Sequence, residues 1–383
     1  MVKPTFYEFF AGGGMARAGL GAGWRCLLAN DFDARKARAY AENWGADDFR
    51  LADIHKLTSA DLPGRAALAW ASSPCQDLSL AGAGRGLAGA RSGAFYGFAA
   101  LIEGLRSEGR APKLLALENV SGLLTSNGGA DFAALCRALQ NLGYRFGALT
   151  IDAAHFTPQS RPRLFVVALD RAHSVASACI APQPAQEWAT PALQRMCGKL
   201  PADLAADWVW WRLPPPPARN VGLAQVVESD PADVAWMDEA GVARLLALMA
   251  PLHRARVEAA RASREKMVGA LYRRTRRDAQ GGRIQRAEVR FDGLAGCLRT
   301  PAGGSSRQSL LVVEGGEIRA RLVSGREAAR LMGLPEDYKL PRNYTDAYHL
   351  LGDGVVAPVV RFLSRHLLEP LIGAATAPLL AAE

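Results

Sequence analysis

The sequence predicts an α/β fold, in which a large domain with a mostly parallel sheet is followed by a smaller irregular domain. From Thr5 to about Asp170, short apolar runs alternate with amphipathic stretches, which is typical of a parallel sheet covered by helices. Beyond Asp170 this regularity fails, because prolines recur between residues 182 and 217 and break helical continuity. A chain of 383 residues is long enough for each domain to bury its own core.

Five apolar runs are candidate strands, and most of them end at a turn that contains Gly, Pro or Asn. These runs are Thr5–Phe10, Arg25–Asn30, Ala67–Ser72, Leu114–Glu118 and Leu164–Leu169. Such sheets bind ligands at the carboxyl ends of their strands, so the residues that follow these runs are candidates for a functional site. Helical spacing is found later in the chain, at Glu239–Lys266, Gly325–Met332 and Val355–Leu368.

The composition argues against several classes of protein. No apolar run reaches the length of about 20 residues that crosses a bilayer. Met1–Phe10 lacks the pattern of a signal peptide, so we expect a cytoplasmic protein without a membrane role. The six cysteines form no CxxC pair, which argues against a disulfide scaffold and against a bound metal.

Positive charge is concentrated in one segment of the chain. The net charge is +9, and residues 251–300 hold 13 Lys or Arg against 5 Asp or Glu. Such a surplus suits a polyanion, because phosphates that are neutralised by cations release their condensed counterions. A solvated helix face with scattered arginines explains the charge equally well, so both interpretations stay open.

The first candidate strand runs into a glycine-rich turn, Phe10–Gly14, where missing side chains let backbone amides approach a ligand. Asp31 follows the second strand about 20 residues later, a spacing that suits paired ribose hydroxyls. Asp53 and Ile54 come after a weaker third strand and could flank an adenine. A structural turn or an exposed loop carboxylate would explain each feature singly. Together they favour a cofactor that contains adenosine.

Reactive side chains follow other strands at the same edge of the predicted sheet. Cys75 comes after the strand Ala67–Ser72, and Glu118 ends the next strand. The loop Gln159–Arg163 adds two guanidinium groups before the last strand. A thiol at a strand end, near arginines, can be activated as a nucleophile. Taken singly, the cysteine is explained as a small buried residue and each arginine as part of a surface ion pair.

In this order, the motifs resemble those of DNA cytosine-5 methyltransferases of the bacterial restriction-modification or orphan type. They are FAGGGMARAGL from Phe10, ANDFD from Ala29, ADI from Ala52, SSPCQDLSLAG from Ser72, ENV from Glu118, QSRPR from Gln159, RLVSGREAARLMGLPEDY from Arg321 and LLGDGVVAPVV from Leu350. The resemblance covers about residues 5–170 and 295–370. It implies a Rossmann-like S-adenosylmethionine-dependent methyltransferase domain and a smaller target-recognition domain.

The resemblance also implies the chemistry of the site. Cys75 would add to C6 of a flipped-out cytosine, and Glu118 would hydrogen-bond N3 and the exocyclic amine. Arg163 would hold the base carbonyl, with Arg161 nearby on a phosphate or on the loop. The segment Gln76–Arg91 would close over the flipped base. Its residues expected to face the DNA are Gln76, Ser79 and Arg91.

For the cofactor, the resemblance implies S-adenosylmethionine and no metal. The residues that it assigns to this site are Phe10, Gly12, Gly14, Asp31, Phe32, Asp53, Ile54, Pro74, Asp353 and Val355. Among them, Asp31 would bind the ribose, Phe32 would stack on the adenine and Asp53 would reach the adenine amine. Asp353 and Gly354 stand where the family usually has Asn followed by Ser or Ala.

The same resemblance divides the chain into three parts. Residues 1–171 would form the first part of the catalytic domain, 172–295 the target-recognition domain, and 296–383 the part that returns to the catalytic domain. The expected partner is double-stranded DNA, bound by a monomer, and a cognate restriction endonuclease fits the same system. The arginines that could touch phosphates or guanine edges include Arg273, Arg274, Arg276 and Arg277.

Three alternatives stay open from the sequence. An RNA methyltransferase that acts on tRNA cytosine would use the same Cys and Glu chemistry, although the long recognition segment favours DNA. A catalytically silent relative would bind DNA without modifying it, and the departure at Asp353 is the reason to keep this alternative. An NAD or flavin enzyme would explain the glycine turn but not the PCQ and QSRPR motifs.

Overall fold

The computed structural model describes residues 2–73, 93–263, 265–277, 281–300 and 307–373. These residues divide into two compact units. The first unit takes its described residues from Met1–Asp152, Pro162–Pro216 and Val355–Glu383, and the second from Ala153–Arg161 and Pro217–Gly354. None of the helices in these ranges is long and apolar enough to cross a membrane.

The first unit is built on a sheet to which the described residues contribute seven strands, in the order β3-β2-β1-β4-β5-β7-β6. The strands are β1 (Thr5–Phe9), β2 (Arg25–Asp31), β3 (Phe49–Leu51), β4 (Leu68–Ala71), β5 (Leu114–Val120), β6 (Tyr144–Asp152) and β7 (Pro162–Asp170). Strands β1 to β5 pair in parallel, whereas β7 runs antiparallel to both β5 and β6. The predicted α/β fold with a mostly parallel sheet is confirmed.

Helices follow several strands of the first unit and make up much of the second. Within the described part of the chain they are α1 (Met15–Leu20), α2 (Ala34–Trp44), α3 (Ala94–Ser107), α4 (Ala130–Asn141), α5 (Pro191–Cys197), α6 (Ala202–Ala205), α7 (Leu223–Val226), α8 (Glu239–Ala247), α9 (Pro251–Ala262), α10 (Gly325–Leu331), α11 (Tyr344–Asp353), α12 (Ala357–Leu363) and α13 (Glu369–Gly373), with a π-helical turn at Ser364–Leu368. The segment Glu239–Lys266, in which the sequence has helical spacing, forms two helices, α8 and α9. Pro251 has no backbone N–H with which to continue α8, and it opens α9 instead.

Apolar side chains of α3 bury the helix in the core of the first unit. They recur at helical spacing and are at most 2% exposed: Phe95, Phe98, Leu101, Ile102 and Leu105. The helices α1 and α12 also pack closely, because a Cβ atom added to Gly19 would overlap the side chain of Val360. Because helices pack against the sheet and bury its strands, the predicted strands appear in the sequence as nearly continuous apolar runs.

Residues 172–216 lie in the first unit, next to its antiparallel strands. Trp211 is 2% exposed, and its Nε1 donates a hydrogen bond to the carbonyl of Val167 in β7 at 3.2 Å. Gly147 in β6 makes room for this segment, since a Cβ atom there would overlap the carbonyl of Val209. The role in target recognition that the sequence suggested for this segment stays a prediction.

The second unit contains an antiparallel sheet with the order β11-β10-β8-β9 among its described residues. Its strands are β8 (Met267–Arg277), β9 (Arg283–Arg290), β10 (Ser309–Glu314) and β11 (Glu317–Leu322). Val242 and Leu245 of α8 and Val257 of α9 share its buried core with Leu271 and Leu311 of the sheet. Helical spacing in the sequence indicated α8 and α9, but none of these four strands was predicted.

Candidate active site

The glycine turn and the end of β2 are joined through Asp31. Its carboxylate accepts a hydrogen bond from the N–H of Gly12 at 2.9 Å and another from the N–H of Asp33 at 2.9 Å. The side chain is 5% exposed. Because a carboxylate has about four lone pairs to share, these two contacts leave Asp31 able to accept from a ligand.

Two glycines of the turn have different surroundings, although both have positive φ angles. At Gly12, φ is +56° and nothing lies within 4 Å of the position that a Cβ atom would take. At Gly14, φ is +75° and a Cβ atom would overlap the indole Nε1 of Trp44, which donates to the carbonyl of Gly13 at 2.9 Å. Gly14 therefore allows α2 to pack, whereas Gly12 leaves an open space. Phe10 also has a positive φ, +56°, which is a strained conformation for a residue with a side chain.

Glu8 is a residue at this turn that the sequence analysis missed. It is 1% exposed in β1, and its Oε1 accepts from the N–H groups of Ala16 at 3.1 Å and Arg17 at 3.3 Å, at the start of α1. Its Oε2 has no hydrogen-bond partner among the described residues. Burial raises the pKa of this carboxyl from its ordinary value to about 8. The signal was an acidic residue inside the apolar run FYEFF.

The other expected adenosine contacts differ in exposure. Phe32 is 71% exposed, so its ring offers a face for stacking. Asp53 is exposed and caps a short 3-10 turn, where it accepts from the N–H of His55 at 3.0 Å. Ile54 is 5% exposed and belongs to the hydrophobic core. Asn30 holds the intervening loop, because its Nδ2 donates to two backbone carbonyls of residues 50 and 52.

The sheet brings Glu118 and Arg163 together. Glu118 lies in β5, Arg163 lies in the neighbouring β7, and the antiparallel register pairs Arg163 with Val120. The guanidinium Nε stands 3.1 Å from Oε1 of Glu118, with the two side chains 15% and 7% exposed. A carboxylate and a guanidinium, both mostly removed from water, thus form an ion pair at the carboxyl end of β5.

The end of β4 is tied to the same edge. Asn119, the neighbour of Glu118, donates from Nδ2 to the carbonyl of Ser73 at 3.1 Å. Ser73 is the last described residue before a gap that ends at residue 92. Five predicted site residues lie in this gap, outside the described residues: Pro74, Cys75, Gln76, Ser79 and Arg91.

Of the two placements expected for Arg161, on a phosphate or on the loop, the described contacts favour the loop. Arg161 belongs to the second unit and is 2% exposed, so its guanidinium is not at a surface where a DNA phosphate could lie. Its Nη1 donates to the carbonyl of Leu298 at 2.9 Å, and its Nη2 donates to those of Gly352 and Gly354, each at 2.8 Å. These contacts indicate that Arg161 holds three backbone carbonyls of the second unit in place.

The two predicted cofactor residues near the end of the chain, Asp353 and Val355, belong to different compact units. Asp353, the last residue of α11, belongs to the second unit, and its Oδ1 accepts a hydrogen bond from the hydroxyl of Thr300. Val355 belongs to the first unit and is 4% exposed. The unusual Asp353 therefore has a local partner in Thr300.

Comparison with known proteins identifies related sequences along nearly the whole chain. A sequence model of the C-5 cytosine-specific DNA methylase family matches residues 4–369. The Type II methyltransferase M.BsuFI of Bacillus subtilis is 24% identical over 97% of this chain and 74% of its own length. The Type II methyltransferase M.HpaII of Haemophilus parainfluenzae is 24% identical over 96% of this chain and 90% of its own length.

A solved structure shares the fold. The Dnmt2 methyltransferase of S. pombe superposes with a TM-score of 0.58 at 17% sequence identity, covering 96% of this chain and 99% of that one. At this level of identity the likeness concerns the fold alone.

Proposed function

The chain belongs to the C-5 cytosine-specific DNA methylase family, and we propose that it methylates C5 of cytosine in a specific double-stranded DNA sequence. The methyl donor is S-adenosylmethionine. The observation that carries the proposal is the Glu118–Arg163 pair at the carboxyl end of β5. It stands beside the strand end that leads to Cys75, and Asn119 links the two strand ends through Ser73.

S-adenosylmethionine fits the residues at the ends of β1 and β2. The space above Gly12 is open, and Asp31 retains lone pairs for ribose hydroxyls. The exposed ring of Phe32 suits an adenine, and the oxygen of Asp53 that does not cap its own turn suits the adenine amine. When bound, S-adenosylmethionine supplies an electrophilic methyl group.

Cys75 is the proposed nucleophile. Its thiolate adds to C6 of the target cytosine, which forms the S–C6 bond and moves the electrons of the C5–C6 double bond to C5. C5 is then a carbon nucleophile that accepts the methyl group. A general base then takes the C5 proton, the C–H electrons re-form the C5–C6 double bond, and the S–C6 bonding pair returns to sulfur, which releases Cys75 as a thiolate.

Other described thiols are poorly suited to this role. Burial raises the pKa of the Cys26 thiol to about 12 and that of Cys197 to about 11. Burial also raises the pKa of Cys136 and of Cys179. Since the thiolate is the nucleophile, these four groups are protonated and unreactive near neutral pH.

Glu118 and Arg163 orient the base and stabilise its charge. In the described structure each fixes the other, so the donors and acceptors are in place before the base arrives. Arg163 then donates to the base carbonyl, where negative charge develops as the thiolate adds. Glu118 accepts from the exocyclic amine, and its contact with N3 requires that the carboxylate take up a proton as the ring gains electron density.

Attack at C6 requires the cytosine to leave the duplex. Extruding a base costs a few kcal/mol. We assign Gln76, Ser79 and Arg91 to the DNA-facing side of the segment that closes over the extruded base. Residues 172–295 are the proposed target-recognition domain of a monomeric enzyme, and a cognate restriction endonuclease is the proposed partner in the same system.

A mechanism-based trap tests this proposal. DNA duplexes in which 5-fluorocytosine replaces cytosine should accumulate a denaturation-resistant protein–DNA adduct in the presence of S-adenosylmethionine, because the C5 fluorine cannot leave as a proton does. Cys197→Ala is a matched control, since its thiol is partly exposed but has a raised pKa. Wild type and Cys197→Ala should form the adduct and Cys75→Ala should not. An adduct that forms with a matched tRNA substrate and never with DNA would contradict the proposal.

A further inference from the structure

A pocket of about 450 Å³, which we call the edge pocket, lies in the first unit at the edge of the sheet opposite to the carboxyl end of β5. It is lined by Arg145 of β6 and by residues of the segment 173–210, which follows β7. Arg145 is six residues from Ile151, the partner of Arg163 in the register, which places about 20 Å between the two arginines. The edge pocket is therefore separate from the candidate active site.

Backbone hydrogen bonds hold the walls of the edge pocket in place. The N–H of Phe146 in β6 donates to the carbonyl of Asp207 at 3.0 Å, and the N–H of Val209 donates to the carbonyl of Phe146 at 2.8 Å. The next segment is joined in the same way, since the N–H of Ala181 donates to the carbonyl of Trp210 at 2.8 Å. These segments extend the sheet beyond β6, so the walls of the pocket are a fixed part of the fold.

The lining of the edge pocket combines apolar surface with polar groups. Its apolar part includes Ile180, Trp208 and Trp210, and its polar part includes Arg145, His173 and Ser174. The centroids of the two indole rings are 5.2 Å apart, with 73° between the ring planes. Burial lowers the pKa of His173, and the charge of Lys113 lowers it further. The imidazole is therefore neutral near neutral pH and can both donate and accept hydrogen bonds.

Carboxylates near the edge pocket are already paired with other arginines. Asp170 accepts a hydrogen bond from Arg106 at 2.7 Å. Asp207 is paired with Arg171. Arg145 forms no ion pair within the described part of the chain, and its Nη2 lies 3.5 Å from the carbonyl of Arg171, at the limit of a hydrogen bond. The pocket therefore presents a positive charge that no described carboxylate neutralises.

Two donors of lining residues lack an acceptor. Among the described residues, Nε of Arg145 and Nε1 of Trp208 are shielded from water and have no hydrogen-bond partner. Buried donors without a partner are rare in folded proteins and lower their stability. An anion in the pocket would supply acceptor oxygens to residues whose donors are otherwise unsatisfied. The unpartnered donors and the positive charge both indicate an anionic ligand.

We infer that the edge pocket binds a small aromatic anion, whose carboxylate or phosphate lies against Arg145 and whose ring packs against Trp208 and Trp210. Indole rings attract other aromatic rings in offset or edge-to-face contacts. A guanidinium binds a carboxylate or a phosphate through paired N–H groups. The volume of about 450 Å³ is within the range of small-molecule pockets, about 300–1,000 Å³. The inference does not depend on the proposed function, because none of these residues belongs to the proposed catalytic or cofactor site.

Titration calorimetry of the full chain with matched small molecules tests the inference. The probes 2-naphthoate and 2-naphthyl phosphate carry the two anionic groups on the same ring, 2-naphthamide is a neutral analogue, and acetate has the charge without the ring. The wild type should bind at least one aromatic anion about tenfold or more tightly than the amide, because a charged hydrogen bond contributes at least that much. Acetate should also bind about tenfold or more weakly, since it buries no ring. The tighter of the two aromatic anions identifies the anionic group.

Two variants with the same loss of charge locate the binding. Arg145→Gln should weaken binding of the preferred anion by about tenfold or more and leave the affinity for the amide unchanged. Arg38→Gln, at an exposed position of α2, should bind both compounds as the wild type does. Arg145→Lys restores the positive charge and should bind the anion more tightly than Arg145→Gln.

Thermal unfolding of each variant checks that the fold is retained. Equal affinity of the wild type for the aromatic anions and the amide would overturn the inference, and so would a lack of binding of both anions. An equal loss of anion affinity in Arg145→Gln and Arg38→Gln would also overturn it, because binding would then follow the net charge of the protein and not the edge pocket.

Discussion

Adding one methyl group at each of two glycines should separate folding from cofactor binding. Gly12→Ala and Gly14→Ala both place an L residue at a positive φ, +56° and +75°. This conformation costs an L residue about 1–2 kcal/mol. The shared backbone penalty makes each variant the control for the other.

Only Gly14→Ala should lose further folding stability, through a steric overlap. Its new Cβ atom would overlap Nε1 of Trp44 and lie 2.7 Å from Cδ1 of the same ring. Trp44 would have to move, which breaks its hydrogen bond to the carbonyl of Gly13. That bond is worth about 1 kcal/mol and overpacking costs about 1–3 kcal/mol. We expect a total loss of about 3–6 kcal/mol for Gly14→Ala and about 1–2 kcal/mol for Gly12→Ala.

Cofactor affinity should show the opposite pattern. At Gly12 the new methyl group enters the open space proposed for S-adenosylmethionine, so Gly12→Ala should bind the cofactor at least about tenfold more weakly, a cost of about 1.4 kcal/mol. Urea unfolding gives the stabilities, and titration calorimetry gives the dissociation constants. Equal destabilisation by both substitutions would refute the packing argument, and unchanged cofactor affinity in Gly12→Ala would refute the assignment of the space.

Three further predictions concern buried or paired charges. Because burial raises the pKa of Glu8 to about 8, the native state keeps a proton that the unfolded chain loses above about pH 4.5. The free energy of unfolding should therefore fall as the pH rises from about 4.5 to 8, by up to about 1.4 kcal/mol per pH unit. Urea unfolding of Glu8→Gln should show no such slope, and parallel slopes for the wild type and the variant would contradict this prediction. Arg161→Met leaves three buried carbonyls without their donor and should cost about 3–5 kcal/mol in the same assay, so wild-type stability would refute its holding role. Arg163→Lys keeps the charge but loses the fixed planar donor, so kcat/KM should fall by about 10²–10³ with the fold intact; an unchanged value would exclude Arg163 from the reaction.

The parallel strands could be predicted from the sequence because both of their faces are buried, which makes each a nearly continuous apolar run. Strand β6 could not be predicted in this way, since Gly147 interrupts its apolar pattern. That glycine is explained only by a backbone contact with Val209, 62 positions away. The segment that forms β8 and β9 was predicted to be basic but not to form strands, because arginines occupy positions where a strand would show alternating apolar residues.

Contacts between distant parts of the chain also limited the prediction of the site. Strand-edge reasoning placed Glu118 and Arg163 at one edge, but their direct ion pair depends on β7 running antiparallel to β5, which the sequence did not reveal. The motif position of Arg161 left two placements open, on a phosphate or on the loop. Its actual partners are carbonyls of residues 298, 352 and 354, and contacts over such separations leave no local signal. Glu8, in contrast, left a local signal in the sequence, because a carboxylate inside a buried apolar strand requires hydrogen-bond partners.

Tritiated methyl transfer tests the central claim most directly. The protein is incubated with labelled S-adenosylmethionine and genomic DNA, the DNA is digested to nucleosides, and the Cys75→Ala variant is treated in parallel. We predict label in 5-methylcytosine with the wild type and none with Cys75→Ala. Absence of label in DNA with the wild type, or equal label with the variant, would contradict the account.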